Sequence, residues 1–310
     1  MIKIAVIGIG HVGFHHARIL SSDPRIKLIA ISDIDESKSS YANIFNTKFI
    51  NDYQNLPDDL NAVIIATPTI THSKIAEFFL NNNKHIFVEK PFTDSIDDAI
   101  KLINLAEKKN LIIQVGLIEK FNPAFLNTKK NIKSPQFIQA IRHHPFINRC
   151  LDVDVVIDLM IHDLDLILTL LNNYTIIDIT AYGSSVKTNL IDTAYTCITF
   201  SNKCICQITA SRVDIESKRI MNIFLKNAIY SLNFAEQSYI IYKPMKDQHA
   251  KLCLHPSLTK NDKKELLPLE LNSFIQAIQQ NNTNLINSAK NTIKSLELAI
   301  KIRNIISQQL

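Results

Sequence analysis

Short apolar runs alternate with longer amphipathic stretches over the first third of the chain. The runs are rich in isoleucine and valine, which is typical of strands buried on both faces, and the longer stretches are typical of helices. The pattern predicts strands at 2–7, 27–32, 62–68, 85–89 and 111–115 and helices at 12–20, 71–80 and 95–108. This order is that of a doubly wound parallel sheet, in which ligands bind beyond the carboxyl ends of the strands.

The pattern changes near Gly116, because strand-like runs then follow one another with few helices between them. The later elements are predicted as a helix at 123–132, a strand at 136–142, a helix at 155–171, strands at 175–187, 191–200, 203–213, 219–225, 228–234 and 238–243, an exposed polar loop at 259–265, and helices at 268–280 and 286–306. Successive strands favour an antiparallel sheet with one open face and one face covered by helices. We therefore predict an α/β domain at 1–119 and an α+β domain at 120–310, whose last helix is free to pack back on the first domain.

Three of the five glycines lie within the first thirteen residues, in the spacing Gly8-x-Gly10-x-x-Gly13. Between a strand and a helix this spacing suits a dinucleotide. Gly8 makes the tight turn, Gly10 lets the backbone approach a pyrophosphate, and Gly13 lets the helix pack closely on the strand. The pyrophosphate is expected on the N–H groups of the helix N-terminus, beside His11 and Val12. The same spacing also occurs in ordinary loops, so its strand and helix context carries the prediction of an NAD(P)-binding Rossmann domain.

An acidic residue follows the second strand at the position that a dinucleotide site requires. Asp33 lies twenty residues beyond Gly13, where a carboxylate binds the hydroxyls of the adenosine ribose. Ile34 and Asp35 follow Asp33, so no arginine is present at these positions to bind the 2′-phosphate of NADP. These residues favour NAD over NADP, and Lys38 is the residue that keeps NADP open as the alternative.

Lys90 lies between Glu89 and Pro91, at the carboxyl end of a predicted strand. In a doubly wound sheet this position faces the crevice where a nicotinamide ring lies. A lysine there is able to polarise a substrate hydroxyl or to act as a base, with Glu89 beside the cofactor. Taken alone, a Glu-Lys-Pro tripeptide is more typical of an exposed loop in which the lysine pairs with the glutamate. Its place in the alternating pattern favours the catalytic interpretation.

Thr67 and Pro68 end the neighbouring strand, and His72 opens the next helix. All three lie at the carboxyl edge of the predicted sheet, so we expect them to contact the cofactor. For His72, a helix-capping position and an ordinary surface position are the alternatives.

A polar stripe runs along the long helix predicted in the second domain. It consists of Asp158, His162, Asp165 and Thr169. Their spacings of four, three and four residues put them on one face of a helix that is otherwise apolar except at Asp163. A carboxylate one turn from an imidazole fixes its tautomer and raises its basicity, as acid–base catalysis requires. The stripe is therefore predicted to face a polar site inside the protein. A solvent-exposed stripe is the alternative, and the sequence offers no clear further ligand for a metal site.

Arg142, His143 and His144 precede this helix, and Arg149 follows them. Arginine suits bidentate contacts with phosphate oxygens, so these four residues are predicted to hold a diphosphate. A solvated sheet edge is the alternative.

Composition limits the remaining classes of function. The chain has 310 residues, 46% hydrophobic and 20% charged, which is enough for two soluble domains. Its net charge of +5 is not gathered into an arginine-rich stripe, which disfavours nucleic-acid binding but suits a phosphorylated substrate. No apolar run reaches the roughly 18 residues of a membrane span, and the five scattered cysteines fit packing better than disulfides or zinc. We expect a cytoplasmic homodimer or homotetramer, because an open sheet face suggests a second subunit.

Taken together, these motifs resemble the Gfo/Idh/MocA family of oxidoreductases. The segments that carry the resemblance are the glycine motif with His16-Ala17, Ala66-Thr67-Pro68 with His72, Glu89-Lys90-Pro91-Phe92, and Asp158-x-x-x-His162. The resemblance implies a Rossmann domain followed by an open-faced sheet domain, a nicotinamide cofactor and reversible oxidation of a sugar hydroxyl. It also implies catalytic roles for Lys90, Asp158 and His162.

Two segments, 115–124 and 158–165, are most similar to the branch of this family that oxidises C3 of UDP-N-acetylglucosamine on the way to a 3-amino sugar of lipid A. This resemblance implies a UDP-sugar held by Glu119 and the basic residues near Arg142, beside the catalytic groups. The chain departs from that branch at Leu117, Lys120 and Asp154, where histidine, arginine and glycine are expected. Inositol, a simple sugar or another carbonyl compound is the alternative substrate, and a non-catalytic NAD-binding regulator is the alternative class.

Overall fold

The computed structural model describes residues 1–148, 151–246, 252–259, 263–283 and 285–309. They form two compact units. The first consists of Met1–Leu117 and Leu267–Ile293, and the second consists of Ile118–Leu266 and the C-terminal residues from Lys294. The segment 267–293, which the sequence placed in the second domain, therefore contributes to the first unit.

The first unit is built on a parallel sheet. Its strands are β1 (Ile2–Ile7), β2 (Ile26–Ser32), β3 (Lys48–Ile50), β4 (Ala62–Ile65), β5 (His85–Glu89) and β6 (Ile113–Gly116). Its first four helices are α1 (His11–Ser21), α2 (Tyr41–Ile44), α3 (His72–Asn81) and α4 (Ile96–Lys109). The strand order is β3-β2-β1-β4-β5-β6, and every pairing is parallel. The predicted doubly wound sheet is confirmed, and its order reverses between β1 and β4, where such sheets bind dinucleotides.

The second unit is built on a larger, mainly antiparallel sheet. Its strands are β7 (Phe137–His143), β8 (Ile176–Ser184), β9 (Thr193–Phe200), β10 (Ile205–Ser211), β11 (Lys218–Leu225), β12 (Ala228–Asn233), β13 (Ser238–Lys246) and β14 (Leu252–Thr259). Its helices are α5 (Pro123–Leu126) and α6 (Ile161–Leu170), the latter preceded by a π-helical turn at Val156–Met160. The strand order is β14-β13-β12-β11-β7-β10-β9-β8, in which only β7 and β10 pair in parallel. The predicted open-faced α+β architecture is confirmed.

Two further helices, α7 (Leu266–Gln279) and α8 (Leu285–Ser307), end the chain. Short 3₁₀ turns lie at Glu36–Ser40, Tyr53–Asn55, Thr69–Thr71, Ile118–Phe121 and Lys129–Asn131. No helix within the described ranges has both the length and the hydropathy that crossing a bilayer requires.

Burial explains the two strand patterns. In β1, Ile4 and Val6 enter a core shared with α1 and α7, whereas Ala5 and Ile7 enter a second core shared with α3 and α4. Both faces of β1 are therefore apolar, as parallel sheets require. In β7 every second residue is buried against a core that includes α6 and the end of α8, and the other residues are half-buried. The second sheet is thus packed on one face within its own unit.

Several elements differ from the sequence predictions. The predicted helix at 123–132 is broken into α5 and a 3₁₀ turn, because the Thr128 hydroxyl donates to the Ala124 carbonyl (2.6 Å) and competes with helical bonding. Strands β3 and β14 were not predicted. The first has three residues only, and the second contains Pro256, which argues against a strand except at a sheet edge. β14 is such an edge strand.

Candidate functional site

The turn between β1 and α1 requires two of its three glycines for backbone reasons. Gly8 has a φ of +84°, and a Cβ there would lie 2.6 Å from the Ala66 carbonyl oxygen. A Cβ on Gly13 would lie 1.8 Å from the Gly8 carbonyl oxygen. Gly10 is different, because its Cβ position opens on free space with nothing within 4 Å. No side chain caps the helix that begins at His11. The exposed backbone of Gly10 and the uncapped N–H groups of α1 fit the pyrophosphate of a dinucleotide.

Asp33 is bonded to the glycine turn. Its Oδ2 accepts the Ile9 N–H (2.6 Å), and its Oδ1 accepts the Asp35 N–H (2.9 Å). These bonds fix the carboxylate at the carboxyl end of β2, next to the turn. The structure therefore places Asp33 beside the glycine turn, a position that fits the ribose of a dinucleotide.

The end of β5 is held by a buried histidine. His16 of α1 is fully buried, and its Nε2 lies 2.7 Å from Glu89 Oε1. The Lys90 N–H donates to the other carboxylate oxygen of Glu89 (3.3 Å). Gly116 on β6 makes room for this carboxylate, since a Cβ there would lie 2.9 Å from Glu89 Oε2. Glu89 thus fixes the backbone at Lys90, whose own side chain is half-buried.

His72 is buried at 1% exposure, so the surface position considered from the sequence is wrong. Its Nδ1 lies 2.8 Å from the Pro91 carbonyl oxygen, and its Nε2 lies 2.8 Å from the Thr67 carbonyl oxygen. The ring joins the ends of β4 and β5. Pro68 is exposed beside it.

The polar stripe of the second unit begins on the π-helical turn. Asp154 caps this turn, since its Oδ1 accepts the N–H groups of Val156 (2.8 Å) and Ile157 (3.1 Å). Burial raises the pKa of the Asp154 carboxyl. Asp158 lies within the turn at 7% exposure, and His162 is half-buried in the first turn of α6. π-Helical turns are frequent at functional sites, and this one carries Asp158 and leads directly into the turn of α6 that carries His162.

A buried ion pair holds the segment that leads into this turn. Arg212 Nε donates to Asp192 Oδ1 (2.8 Å), and the same guanidinium donates to the Val153 carbonyl (2.8 Å). Burial opposes ionisation of Asp192. The N–H groups of residues 186–188 and the Arg212 guanidinium outweigh that opposition and hold the pKa of Asp192 well below its usual value.

Arg142 connects α6 to the segment after β6. Its Nε and Nη2 donate to the two carboxylate oxygens of Asp163 (2.8 and 3.0 Å), and its Nη1 donates to Glu119 (2.8 Å). All three residues are buried. Burial opposes the charge on Arg142, but the two carboxylates outweigh it and raise the pKa of the guanidinium. Arg142 and Glu119 are both predicted to contact substrate, and in the structure they bond to each other inside the second unit.

A second ion pair joins Lys120, the residue after Glu119, to Asp165 of α6. Lys120 Nζ lies 2.9 Å from Asp165 Oδ1, which also accepts the Ser295 hydroxyl (3.0 Å). Burial raises the pKa of Asp165, and Lys120 opposes that rise. Asp165 is 2% exposed, so this part of the stripe faces the protein interior rather than solvent.

Two residues of the predicted basic cluster, Arg142 and His143, lie on opposite faces of the second sheet. Successive residues of a strand point to opposite faces, so Arg142 and His143 diverge. His143 Nδ1 lies 2.7 Å from Asp214, and its Nε2 lies 3.0 Å from the Thr209 hydroxyl. The ring of His144 bonds to the Pro145 carbonyl. Arg149 lies outside the described residues.

Sequence reasoning missed Arg219. It is the register partner of Arg142 across β7 and β11, so the two side chains share one face of the sheet. Arg219 is exposed. Its positive charge lies near enough to Asp163 to favour the ionised form of that carboxyl group. The antiparallel register of β7 and β11 identifies Arg219 as a neighbour of Arg142. The folded sheet defines that register, and the sequence alone does not.

No group of three or more His, Cys, Asp or Glu side chains in the described part of the chain is arranged to hold a metal ion.

Comparison with known proteins identifies the class. Residues 2–117 match the family model described as an oxidoreductase family with an NAD-binding Rossmann fold, GFO_IDH_MocA. UDP-N-acetylglucosamine 3-dehydrogenase of Acidithiobacillus ferrooxidans is 34% identical over 248 residues, which are 77% of this chain and 76% of that protein. The chain therefore belongs to the Gfo/Idh/MocA oxidoreductase family, as its motifs predicted.

A solved structure of the Acidithiobacillus enzyme and one further relative are also informative. A solved structure of the Acidithiobacillus enzyme has a TM-score of 0.89 at 29% identity, and the match covers 98% of this chain and 97% of that one. The scyllo-inositol 2-dehydrogenase (NAD⁺) of Bacillus subtilis is 31% identical over 150 residues, which are 47% of this chain and 44% of that protein. The first similarity covers both units of the fold.

Proposed function

We propose that this oxidoreductase oxidises the C3 hydroxyl of UDP-N-acetylglucosamine with NAD, giving the 3-keto sugar. The observation that carries the proposal is its similarity to the Acidithiobacillus enzyme, which covers 98% of the chain in the structural match and therefore extends through both units. Such a 3-keto sugar is the form that an aminotransferase converts to a 3-amino sugar, which is the lipid A precursor implied by the sequence resemblance.

The acid–base groups are assigned from their surroundings. NAD, when bound, supplies the hydride acceptor. Lys90 hydrogen-bonds to the sugar hydroxyl and polarises it, and His162 removes its proton. Asp158, one turn before His162, orients the imidazole and stabilises its protonated form. Glu89 bonds to the backbone at Lys90, and Asp154 bonds to the backbone of the turn that carries Asp158, so each segment is held within its own unit.

NAD is favoured over NADP by the groups around the adenosine ribose. The Asp33 carboxylate is fixed beside the glycine turn, where it accepts ribose hydroxyls and repels a 2′-phosphate. Lys38 is the residue that kept NADP open as the alternative. Its Nζ lies 3.7 Å from Asp35 Oδ2, so the ammonium group is paired with a carboxylate. The contacts of Gly10, His11, Val12, Thr67 and Pro68 with the cofactor belong to the same proposal.

Arg219 is the best candidate for the UDP diphosphate on the helix-covered face of the second sheet. Its exposed guanidinium is accessible to phosphate oxygens, whereas the buried guanidinium of Arg142 already makes three hydrogen bonds to two carboxylates. His143 and Arg149 remain candidates for other parts of the substrate.

We also propose that the open face of the second sheet joins two copies of the chain. Half-buried apolar side chains lie across its central strands, with the Phe137 and Phe224 rings 5.5 Å apart between β7 and β11. A row of amides beside them links Asn222, Gln139 and Gln207 across three strands. A surface of this kind is typical of homo-oligomer contacts.

A substrate panel tests the function. The enzyme is incubated with NAD or NADP and with UDP-sugars, inositols or free hexoses, and reduced cofactor is followed by absorbance. We expect the highest kcat/KM for UDP-N-acetylglucosamine with NAD. Faster turnover of scyllo-inositol would favour the inositol branch of the family. NAD binding without turnover of any compound would favour a regulator.

A further inference from the structure

Arg212 is a fully buried side chain that takes no part in the proposed reaction. It follows strand β10 and is 1% exposed. Its Nε donates to Asp192 Oδ1 (2.8 Å), its Nη1 to the Val153 carbonyl (2.8 Å) and its Nη2 to the Thr188 hydroxyl (3.1 Å). A buried ion pair is often no more stable than apolar side chains of similar volume in the same place. Stability alone therefore gives little reason for an arginine here, and its bond to the backbone gives a better one.

The bond to Val153 fixes the chain just before the π-helical turn at Val156–Met160. Two residues further on, the Val155 N–H donates to the Ile191 carbonyl (2.9 Å). Ile191 is the neighbour of the aspartate that pairs with Arg212. The first side of the π-helical turn is thus held by two hydrogen bonds from one small region of the second unit.

Helix α6 fixes the other side of the turn. Asp163, near the start of that helix, accepts two hydrogen bonds from Arg142 (2.8 and 3.0 Å). A π-helical turn bonds residue i to i+5 and so contains one residue more than an α-helical turn. This extra residue stays in the turn only while both sides are fixed. If the first side were released, Asp158 in the middle of the turn would shift by up to about 1.5 Å, the rise of one helical residue.

We propose that Arg212 is a positioning residue for Asp158 and His162, because its bond to Val153 keeps the π-helical turn in register. π-Helical turns are rare and need such support from their surroundings. A reacting group that is misplaced by about 1 Å loses roughly 100-fold in rate, so the bond matters for turnover although Arg212 touches no substrate. The catalytic part of this proposal rests on the acid–base roles proposed above, and the effect on the turn does not.

Hydrogen exchange tests the effect on the turn without any substrate. The matched variants are Asp192→Asn, which keeps the arginine and its bond to Val153, and the double variant Arg212→Met/Asp192→Asn, which removes both. Exchange is followed by mass spectrometry on a peptide that covers residues 153–161. In Asp192→Asn the protected N–H groups of the turn should exchange at about the wild-type rate, and in the double variant at least about tenfold faster. Equal exchange in the two variants overturns the proposal.

Stability and turnover should change in opposite directions between the same two variants. The double variant should unfold at a higher urea concentration than Asp192→Asn, because it no longer buries an arginine without its carboxylate. Its kcat should nevertheless be lower by roughly 100-fold, with a KM for the sugar within about threefold. If Arg212 has only a structural role, kcat follows stability instead. A double variant with a kcat equal to or above that of Asp192→Asn overturns the positioning role.

Thr188→Val is a second reference that keeps the ion pair. It removes one acceptor of the guanidinium and leaves the bonds to Asp192 and Val153 in place. Its kcat should stay within about twofold of the wild type while its stability falls, and a loss of kcat as large as that of the double variant overturns the proposal. If the wild type turns over no sugar, the proposed function fails, and the exchange result still decides whether Arg212 holds the turn.

Discussion

Replacement of Arg142 by methionine separates a structural role from substrate binding. The guanidinium is 4% exposed and makes three hydrogen bonds to two buried carboxylates. Its removal leaves Glu119 and Asp163 as buried charges without their main partner. Breaking a buried ion pair in this way costs about 3–5 kcal/mol of unfolding free energy. At about 2–4 °C per kcal/mol for a unit of this size, the Tm of the second unit falls by about 6–20 °C.

The assay is urea unfolding followed by circular dichroism, with steady-state kinetics on the same preparations. Arg219→Leu is the matched control, because this neighbouring arginine is exposed and its loss should change stability by less than about 0.5 kcal/mol. A triple variant that adds Glu119→Gln and Asp163→Asn should recover most of the lost stability, since no uncompensated charge remains.

A wild-type stability with a raised KM would show that Arg142 binds substrate. If Arg142→Met unfolds at the wild-type urea concentration and raises the KM for a UDP-sugar tenfold or more, Arg142 is a diphosphate ligand. The ion pairs with Glu119 and Asp163 would then be dispensable for the fold.

Three further predictions follow from the same contacts. Gly13→Ala should abolish NADH binding measured by fluorescence, because the new Cβ meets the Gly8 carbonyl, whereas Gly10→Ala should weaken binding without changing the Tm; equal effects would contradict the assigned geometry. Arg219→Leu should raise the KM for the UDP-sugar by about 10- to 100-fold with little change in kcat, since a hydrogen bond to a charged group contributes about 1.5–3 kcal/mol; an unchanged KM removes Arg219 from the site. Asp192 has a folded pKa below its unfolded value of about 3.9, so its stabilisation is complete above that pH and is lost as the pH falls through the folded pKa. In urea unfolding below about pH 4, wild type should therefore lose stability more steeply than Asp192→Asn, and parallel pH profiles would contradict this.

The features of the fold that the sequence predicted correctly depend on residues that are close together in the chain. The glycine turn, its strand and its helix are adjacent in sequence, and the spacing of Gly8 and Gly13 reflects backbone distances that no other residue satisfies. The partnership with Asp33 also follows from a fixed spacing, because β1 and β2 pair in parallel across one helix. These features depend little on the rest of the chain.

Long-range partners account for most of what the sequence could not predict. His16 and Glu89 are 73 positions apart, and Arg142 and Asp163 are 21 apart on a strand and a helix. Whether a charged residue meets a substrate or an internal partner depends on the folded arrangement alone. The divergence of Arg142 and His143 is an exception, since the two-residue period of a strand already separates their side chains.

Transfer of isotope from C3 of the sugar tests the central claim most directly. The enzyme is incubated with NAD and UDP-N-acetylglucosamine deuterated at C3, and the reduced cofactor is isolated for mass spectrometry. We expect the wild type to form NADH that carries one deuterium, and we expect Lys90→Met and His162→Gln to form none. NADH without deuterium, or variants that form deuterated NADH at the wild-type rate, would contradict that claim.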